Sequence, residues 1–122
     1  MEIFDKLELN YKIWMSDKDG KGIMGDGKWQ ILKAIEETGT LTGACNKLGL
    51  TYRRTWNDLR EIEKVLGFPL LESSRGGAEG GSMKLTPEGK KLITAFDHFH
   101  QKVDDLMKEH FKEMILELQV KK

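Results

Sequence analysis

Four side chains built for directional hydrogen bonding stand close together in the middle of this chain: Arg53, Arg54, Asn57 and Arg60. Arginine presents a planar fork that matches guanine O6 and N7, and asparagine pairs in the same bidentate way with adenine N6 and N7. At about 100° per residue from Tyr52, these four fall with Glu61 and Lys64 on one sector of a helix. Tyr52, Trp56, Leu59, Ile62 and Leu66 fall on the other, so the spacing predicts a helix that buries aromatics on one side and offers long polar donors on the other. Between Gly43 and Arg60 stand the cations Lys47, Arg53, Arg54 and Arg60 against the single carboxylate Asp58. That is a locally basic face suited to docking on a polyanion.

Other residue groups point to no reaction. Gly22-Ile23-Met24-Gly25-Asp26-Gly27-Lys28 has the spacing of a phosphate-binding loop. However, Trp29 stands where Ser or Thr should hold magnesium, Asp26 would repel a phosphate, and no parallel βαβ pattern follows. The segment reads as a loop leading into a helix capped by Asp26. His98 and His100 lie about 200° apart on a helix and cannot share a metal, while His100 with Asp104 at i+4 reads as a surface contact. Cys45 reads as a buried small residue. With no Ser-His-Asp or Cys-His constellation, the sequence predicts no enzyme, no metal and no cofactor.

The elements that must position the basic face follow from periodicity and stop signals. Leu7, Leu9, Tyr11, Ile13 and Met15 alternate with polar residues and with an outward Trp14, which predicts a half-buried strand, and Ile23 and Met24 follow as a short return strand. Trp29, Ile31, Leu32 and Ile35 predict a first helix ending at Thr38 before Gly39. Thr40 caps a second in which Leu41, Ala44, Cys45 and Leu48 recur at helical spacing up to Gly49, and Thr51 caps the third, ended by Gly67 and Pro69. Two short helices around a glycine turn are the unit whose second helix enters the major groove. Thr40, Thr42 and Lys47 on the second helix, and Thr51, Tyr52, Arg53, Arg54, Asn57 and Arg60 on the third, are therefore the DNA-binding candidates.

Leu70-Leu71 and Met83-Lys84-Leu85 predict two strands around a glycine-dense tip, a wing whose Arg75, Gly76 and Gly77 are suited to phosphate contact. Thr86-Pro87-Glu88 then opens a helix of about 30 residues, longer than the usual globular helix. Its stripe of Leu92, Phe96, Phe99, Val103 and Leu106 slides to Met107, Phe111, Met114 and Leu118, more apolar edge than so small a domain covers alone. The stripe predicts a partner helix and hence a homodimer. Lys102, Lys108, Lys112, Lys121 and Lys122 balance Asp104, Asp105, Glu109, Glu113 and Glu117 there, unlike a membrane-binding helix, whose polar face is basic.

The fold class expected is thus mainly α with a small β component: a winged helix-turn-helix over residues 1–86, and a long dimerisation helix over residues 87–122. The 122 residues suit one hydrophobic core. Twenty Lys and Arg against twenty Asp and Glu give no net charge, so attraction to nucleic acid must be local. The first 46 residues carry six basic and eight acidic side chains, which polarises the molecule. One cysteine leaves no disulfide framework, and no stretch approaches the ~18 apolar residues of a membrane span or resembles a signal peptide. The chain reads as soluble and cytoplasmic.

One resemblance sharpens this reading. The runs Gly39-Thr40-Leu41-Thr42-Gly43-Ala44 and Leu48-Gly49-Leu50-Thr51-Tyr52-Arg53-Arg54-Thr55-Trp56 come first, then Pro69-Leu70-Leu71-Glu72, the pairs Gly76-Gly77 and Gly80-Gly81, and Leu85-Thr86-Pro87-Glu88-Gly89. Together residues 27–100 resemble the N-terminal DNA-binding domain of ModE-type molybdate-responsive regulators, which are related to the winged helices of LysR-type regulators. Ser82 and Met83 depart from the small residues usual after the wing glycines. The resemblance implies a homodimeric transcription regulator on a palindromic operator, double-stranded DNA as partner, and a role in molybdenum or tungsten metabolism. Members carry molybdate-binding domains after the long helix, whereas this sequence ends at Lys122. The expectation is a stand-alone regulator with another input, or one served by a separate sensor protein. A winged-helix protein-interaction module without DNA specificity is the competing reading, since a fold does not fix a function.

Overall fold

The computed structural model describes residues 5–73 and 83–119. Two short strands, β1 (Trp14–Ser16) and β2 (Gly22–Gly25), lead into three helices, α1 (Asp26–Thr38), α2 (Leu41–Leu48) and α3 (Tyr52–Leu66). Strands β3 (Leu71–Ser73) and β4 (Met83–Leu85) then form the base of the wing before α4 (Pro87–Leu118). Both strand pairs are antiparallel, with Met15 opposite Met24 in one and Glu72 opposite Lys84 in the other. This is the predicted mainly helical winged helix-turn-helix with a long last helix.

The helix stops are those the glycines predict. Gly39, Gly49 and Gly67 follow α1, α2 and α3 at φ of 92°, 69° and 83°, the left-handed region in which a residue without Cβ closes a helix at no steric cost. Thr40 and Thr86 cap α2 and α4, accepting from the amides of Gly43 and Gly89. The core is built where the three short helices meet the wing and the first turns of α4: Leu32, Ile35, Leu41, Ala44, Leu59, Ile62 and Leu70 are essentially inaccessible, joined by Met24, Leu85, Ile93 and Phe96.

The α1–α2 corner depends on a close approach. A Cβ on Gly43 would lie 2.8 Å from both Cβ and Oγ1 of Thr38. Neither atom is the free end of a flexible chain, and the Thr38 hydroxyl is already committed to the Ala34 carbonyl at 2.8 Å. Gly43→Ala is expected to destabilise the protein by about 1–3 kcal/mol through overpacking, read as a lowered urea midpoint at unchanged m-value. A neutral or stabilising result would mean that the corner relaxes.

Four expectations are corrected. The strand predicted over Leu7–Met15 is confined to Trp14–Ser16. Its partner β2 has only four residues, and residues 8–11 instead run beside Asp104, Met107, Lys108 and Phe111 of α4. An extended chain lying on a helix also exposes alternate side chains, so period two did not require a ladder. Trp14 is outward as predicted, 67% exposed, but Leu7, Leu9 and Met15 are exposed as well. Asp26 is not the cap of α1 but its first residue, where a carboxylate favours the positive end of the helix dipole. It contacts the Ile13 amide at 3.4 Å and His100 Nε2 at 3.3 Å, which ties the N-terminal segment and α4 to the start of α1.

Thr51 occupies the cap position of α3 without making a side-chain capping bond. On α3 itself the buried sector is turned relative to prediction: Thr55, Leu59 and Ile62 are inside, whereas Tyr52 is exposed. The aromatic rings drew the predicted apolar sector toward themselves. The 4-3-4 spacing of Thr55, Leu59, Ile62 and Leu66 is the signal that marks the true one.

Candidate nucleic-acid interface

The helix-turn-helix is α2, the turn Gly49–Thr51, and α3. Besides the left-handed Gly49, the Leu50 amide donates to the Cys45 carbonyl at 2.9 Å, so the turn stays bonded to the end of α2. Burial of Thr55, Leu59 and Ile62 orients α3, and the opposite surface carries Arg53, Arg54 and Asn57, all exposed. Among the described residues neither Arg53 nor Arg54 forms an ion pair. The free N–H groups of the first turn and the uncommitted Thr51 hydroxyl lie beside them, a geometry that accepts a phosphate oxygen.

The carboxylates on α3 are answered by lysines from elsewhere. Lys28 of α1 stands 3.6 Å from Asp58, and Lys21, from the turn between β1 and β2, stands 2.6 Å from Glu61, which Lys64 also approaches at 3.4 Å. The hydrogen bond from Lys21, followed by that from Lys64, holds the Glu61 carboxyl below its ordinary range. Lys21 and Lys28 thus neutralise the negative charge beside the two arginines. Sequence reasoning missed both because they lie 30 or more positions away in the chain, and only the packing of α1 and the hairpin on α3 brings them there.

The other predicted DNA-binding residues divide by how far they are already engaged. Arg60 donates to Glu63 at 2.6 Å and lies over the Trp56 ring at 4.9 Å, so it is held on its own helix. Lys47 pairs with Glu37 at 2.5 Å; both groups are exposed, and a solvent-screened surface pair of this kind is easily exchanged for a phosphate. Thr40 is committed to its cap, and Thr42 and Tyr52 are exposed. Arg75, Gly76 and Gly77 lie outside the described residues.

The long helix divides in the same way. Phe96 is 5% exposed inside the core and Leu92 packs against that core, so neither is a free edge. Ile93 and Ile115, which the stripe omitted, are buried. Beyond them Phe99 (52%), Leu106 (56%) and Leu118 (65%) are open, with Met107 and Met114 exposed and Val103 and Phe111 half-buried. The inward side of this stretch holds a polar cluster: Tyr11 donates to Asp104, which also meets His100 Nδ1 at 3.2 Å, while the His100 ring stacks on Trp29 at 5.0 Å. The Asp104 hydrogen bond, helped by burial and by the Asp104 and Asp26 charges, raises the Tyr11 phenol to about 12. Among the described residues no helix is long and apolar enough to cross a membrane.

Comparison with known proteins gives a consistent picture. A family described as bacterial regulatory helix-turn-helix protein, lysR family, matches residues 27–90, which run from α1 through the first turn of α4. The molybdenum-pterin-binding protein MopB of Rhodobacter capsulatus is 32% identical over 94 residues, covering 77% of this chain and 35% of its own. The transcriptional regulator ModE of Haemophilus influenzae is 31% identical over 68 residues, 56% of this chain and 27% of its own. The DNA-binding transcriptional dual regulator ModE of Escherichia coli is 28% identical over 111 residues, 88% of this chain and 39% of its own. The chain spans about a third of the length of the curated relatives it matches.

Proposed function

Because this chain belongs to the bacterial regulatory helix-turn-helix proteins of the lysR family, a family of DNA-binding regulators rather than enzymes, we propose that it is a transcription regulator that binds a palindromic operator as a homodimer in the cytoplasm. In this reading α3 enters the major groove. Arg53, Arg54 and Asn57 read base edges there, Thr51 and the first turn of α3 bind phosphate, and Thr42 and Lys47 add backbone contacts from α2. The observation that carries it is the uncompensated pair Arg53 and Arg54 on the exposed face of α3, flanked by carboxylates that lysines have neutralised.

The likeness to MopB and to the ModE regulators supports a place in the response to molybdate or tungstate, with the oxyanion read outside these residues, as by a separate sensor protein. The open edge of α4 from Phe99 to Leu118 supports the dimer. Two recognition helices one helical turn apart would set half-sites about 34–36 Å from centre to centre.

Selection from a random-sequence DNA pool by the purified chain, with and without molybdate and tungstate, tests this reading. An enriched palindrome is expected, bound with a log–log salt slope of about −4 to −8, the signature of a handful of phosphate contacts per dimer. Salt-independent binding, or binding without sequence preference, would favour the winged helix as a protein-interaction surface instead.

A further inference from the structure

The base of the wing is held from two sides by bonds that a two-stranded ribbon does not itself require. From α3, one oxygen of Glu63, Oε2, accepts from the backbone amides of both Leu70 and Leu71, at 2.6 and 3.0 Å, while Oε1 accepts from Arg60 at 2.6 Å. From the start of α4, the Thr86 hydroxyl donates to the Pro69 carbonyl at 2.7 Å and the Thr86 amide to the Leu70 carbonyl at 2.9 Å. The fit is close: a Cβ on Gly89 would lie 2.8 Å from the Leu70 carbonyl oxygen. The amides of Leu70 and Leu71 are thus bonded to the recognition helix, and the carbonyls of Pro69 and Leu70 to the Thr86 cap of the long helix.

Within this arrangement Glu63 is the single side chain that joins α3 to β3 by hydrogen bonds among the described residues. Its side chain is 11% exposed. Burial pushes its carboxyl up, but the Arg60 guanidinium and the two amides outweigh this and leave it below the ordinary carboxylate range. Arg60 is in turn steadied on the Trp56 ring. A carboxylate held by Arg60 on its own helix, whose second oxygen accepts from two successive amides, leaves the strand little angular freedom relative to α3.

We propose that Glu63 is a positioning residue for DNA recognition: by gripping the Leu70 and Leu71 amides it sets the angle at which the β3–β4 wing leaves α3, so that helix and wing meet the same stretch of duplex. The proposal rests on the DNA-binding reading above. It also gives Arg60, predicted as a DNA-binding residue, a different task, that of holding Glu63. Because Glu63 acts on the strand and not on the duplex, the grip works on affinity without touching DNA.

The test uses the full chain and the DNA site selected above. Lys84 is exposed on β4, between the buried Met83 and Leu85. A photo-crosslinker on Lys84→Cys reports how closely the wing strand approaches DNA, the native Cys45 being buried. Glu63→Gln keeps one acceptor oxygen and the volume but loses the second oxygen and the charge. It is expected to weaken binding about five- to tenfold, the size of one or two lost phosphate contacts, and to lower crosslinking from position 84 several-fold even when DNA is saturating. A role confined to stability would leave the crosslink unchanged in the saturated complex.

If Glu63→Gln fails to fold, Glu63→Asp, which keeps the charge but withdraws it by one methylene, takes its place with the same expectation. Unchanged crosslinking and affinity in the folded variant would overturn the proposal while leaving the DNA reading intact, as would a parent chain that binds its site without crosslinking from position 84. A parent chain that binds no DNA would bring down both.

Discussion

Arg53→Ala combined with Arg54→Ala is expected to abolish specific DNA binding while leaving the helical circular-dichroism signal and melting temperature nearly unchanged. Both residues are exposed on α3, outside the core, and neither is ion-paired among the described residues, so truncation removes no contact that holds the fold. Surface substitutions of this kind usually stay within about ±0.5 kcal/mol. Their loss on DNA is much larger: a good bidentate contact discriminates by about 1–3 kcal/mol, so one arginine accounts for roughly a tenfold to hundredfold change and two, in a symmetric dimer, for several orders of magnitude. Competition titrations against the selected site and against scrambled DNA separate the two components. Equal losses on both would make these arginines phosphate contacts, and retained specific binding would remove α3 from the interface.

Placing glutamates on the open edge of α4, as Leu106→Glu with Met114→Glu, is expected to convert a dimer at micromolar concentration into a folded monomer, as sedimentation or light scattering would report. Both side chains are about half exposed in the single chain, so the protomer tolerates the change. In a dimer the same positions meet an apolar partner, where an unpaired carboxylate is strongly disfavoured. A monomer engages one half-site at a time and loses the advantage of linked binding, so affinity for a palindrome is expected to fall about 10²- to 10⁴-fold while a single half-site is bound as before. A parent chain that is already monomeric would remove the basis of this prediction.

Why dimerisation is proposed for the far end of α4, and not for the whole stripe, is a matter of what the stripe meets. Leu92 and Phe96 continue the same periodicity as Phe99 and Leu106, yet the first two close the core over Trp29, whose ring lies 5.4 Å from that of Phe96. Periodicity states that a face is apolar. It does not state whether the same chain or another one covers it.

That distinction separates what was legible in the sequence from what was not. The short-range grammar of this chain is explicit: glycines at 39, 49 and 67 close helices because the left-handed conformation costs them nothing, and Thr40 and Thr86 cap because their hydroxyls reach an amide three residues on. From these signals follow the helix-turn-helix, both wing strands, the long helix and the basic face with Arg53, Arg54 and Asn57. Only the tertiary structure turned α3 so that Thr55 is buried and Tyr52 exposed, brought Lys21 and Lys28 to the carboxylates of α3, and carried the N-terminal segment past β2 onto α4. It also decided that Arg60 holds Glu63 and that Glu63 holds the wing. Capping and helix termination act over three or four residues and are written in neighbouring positions, whereas charge pairing and strand anchoring join distant residues whose approach is set by how the core packs.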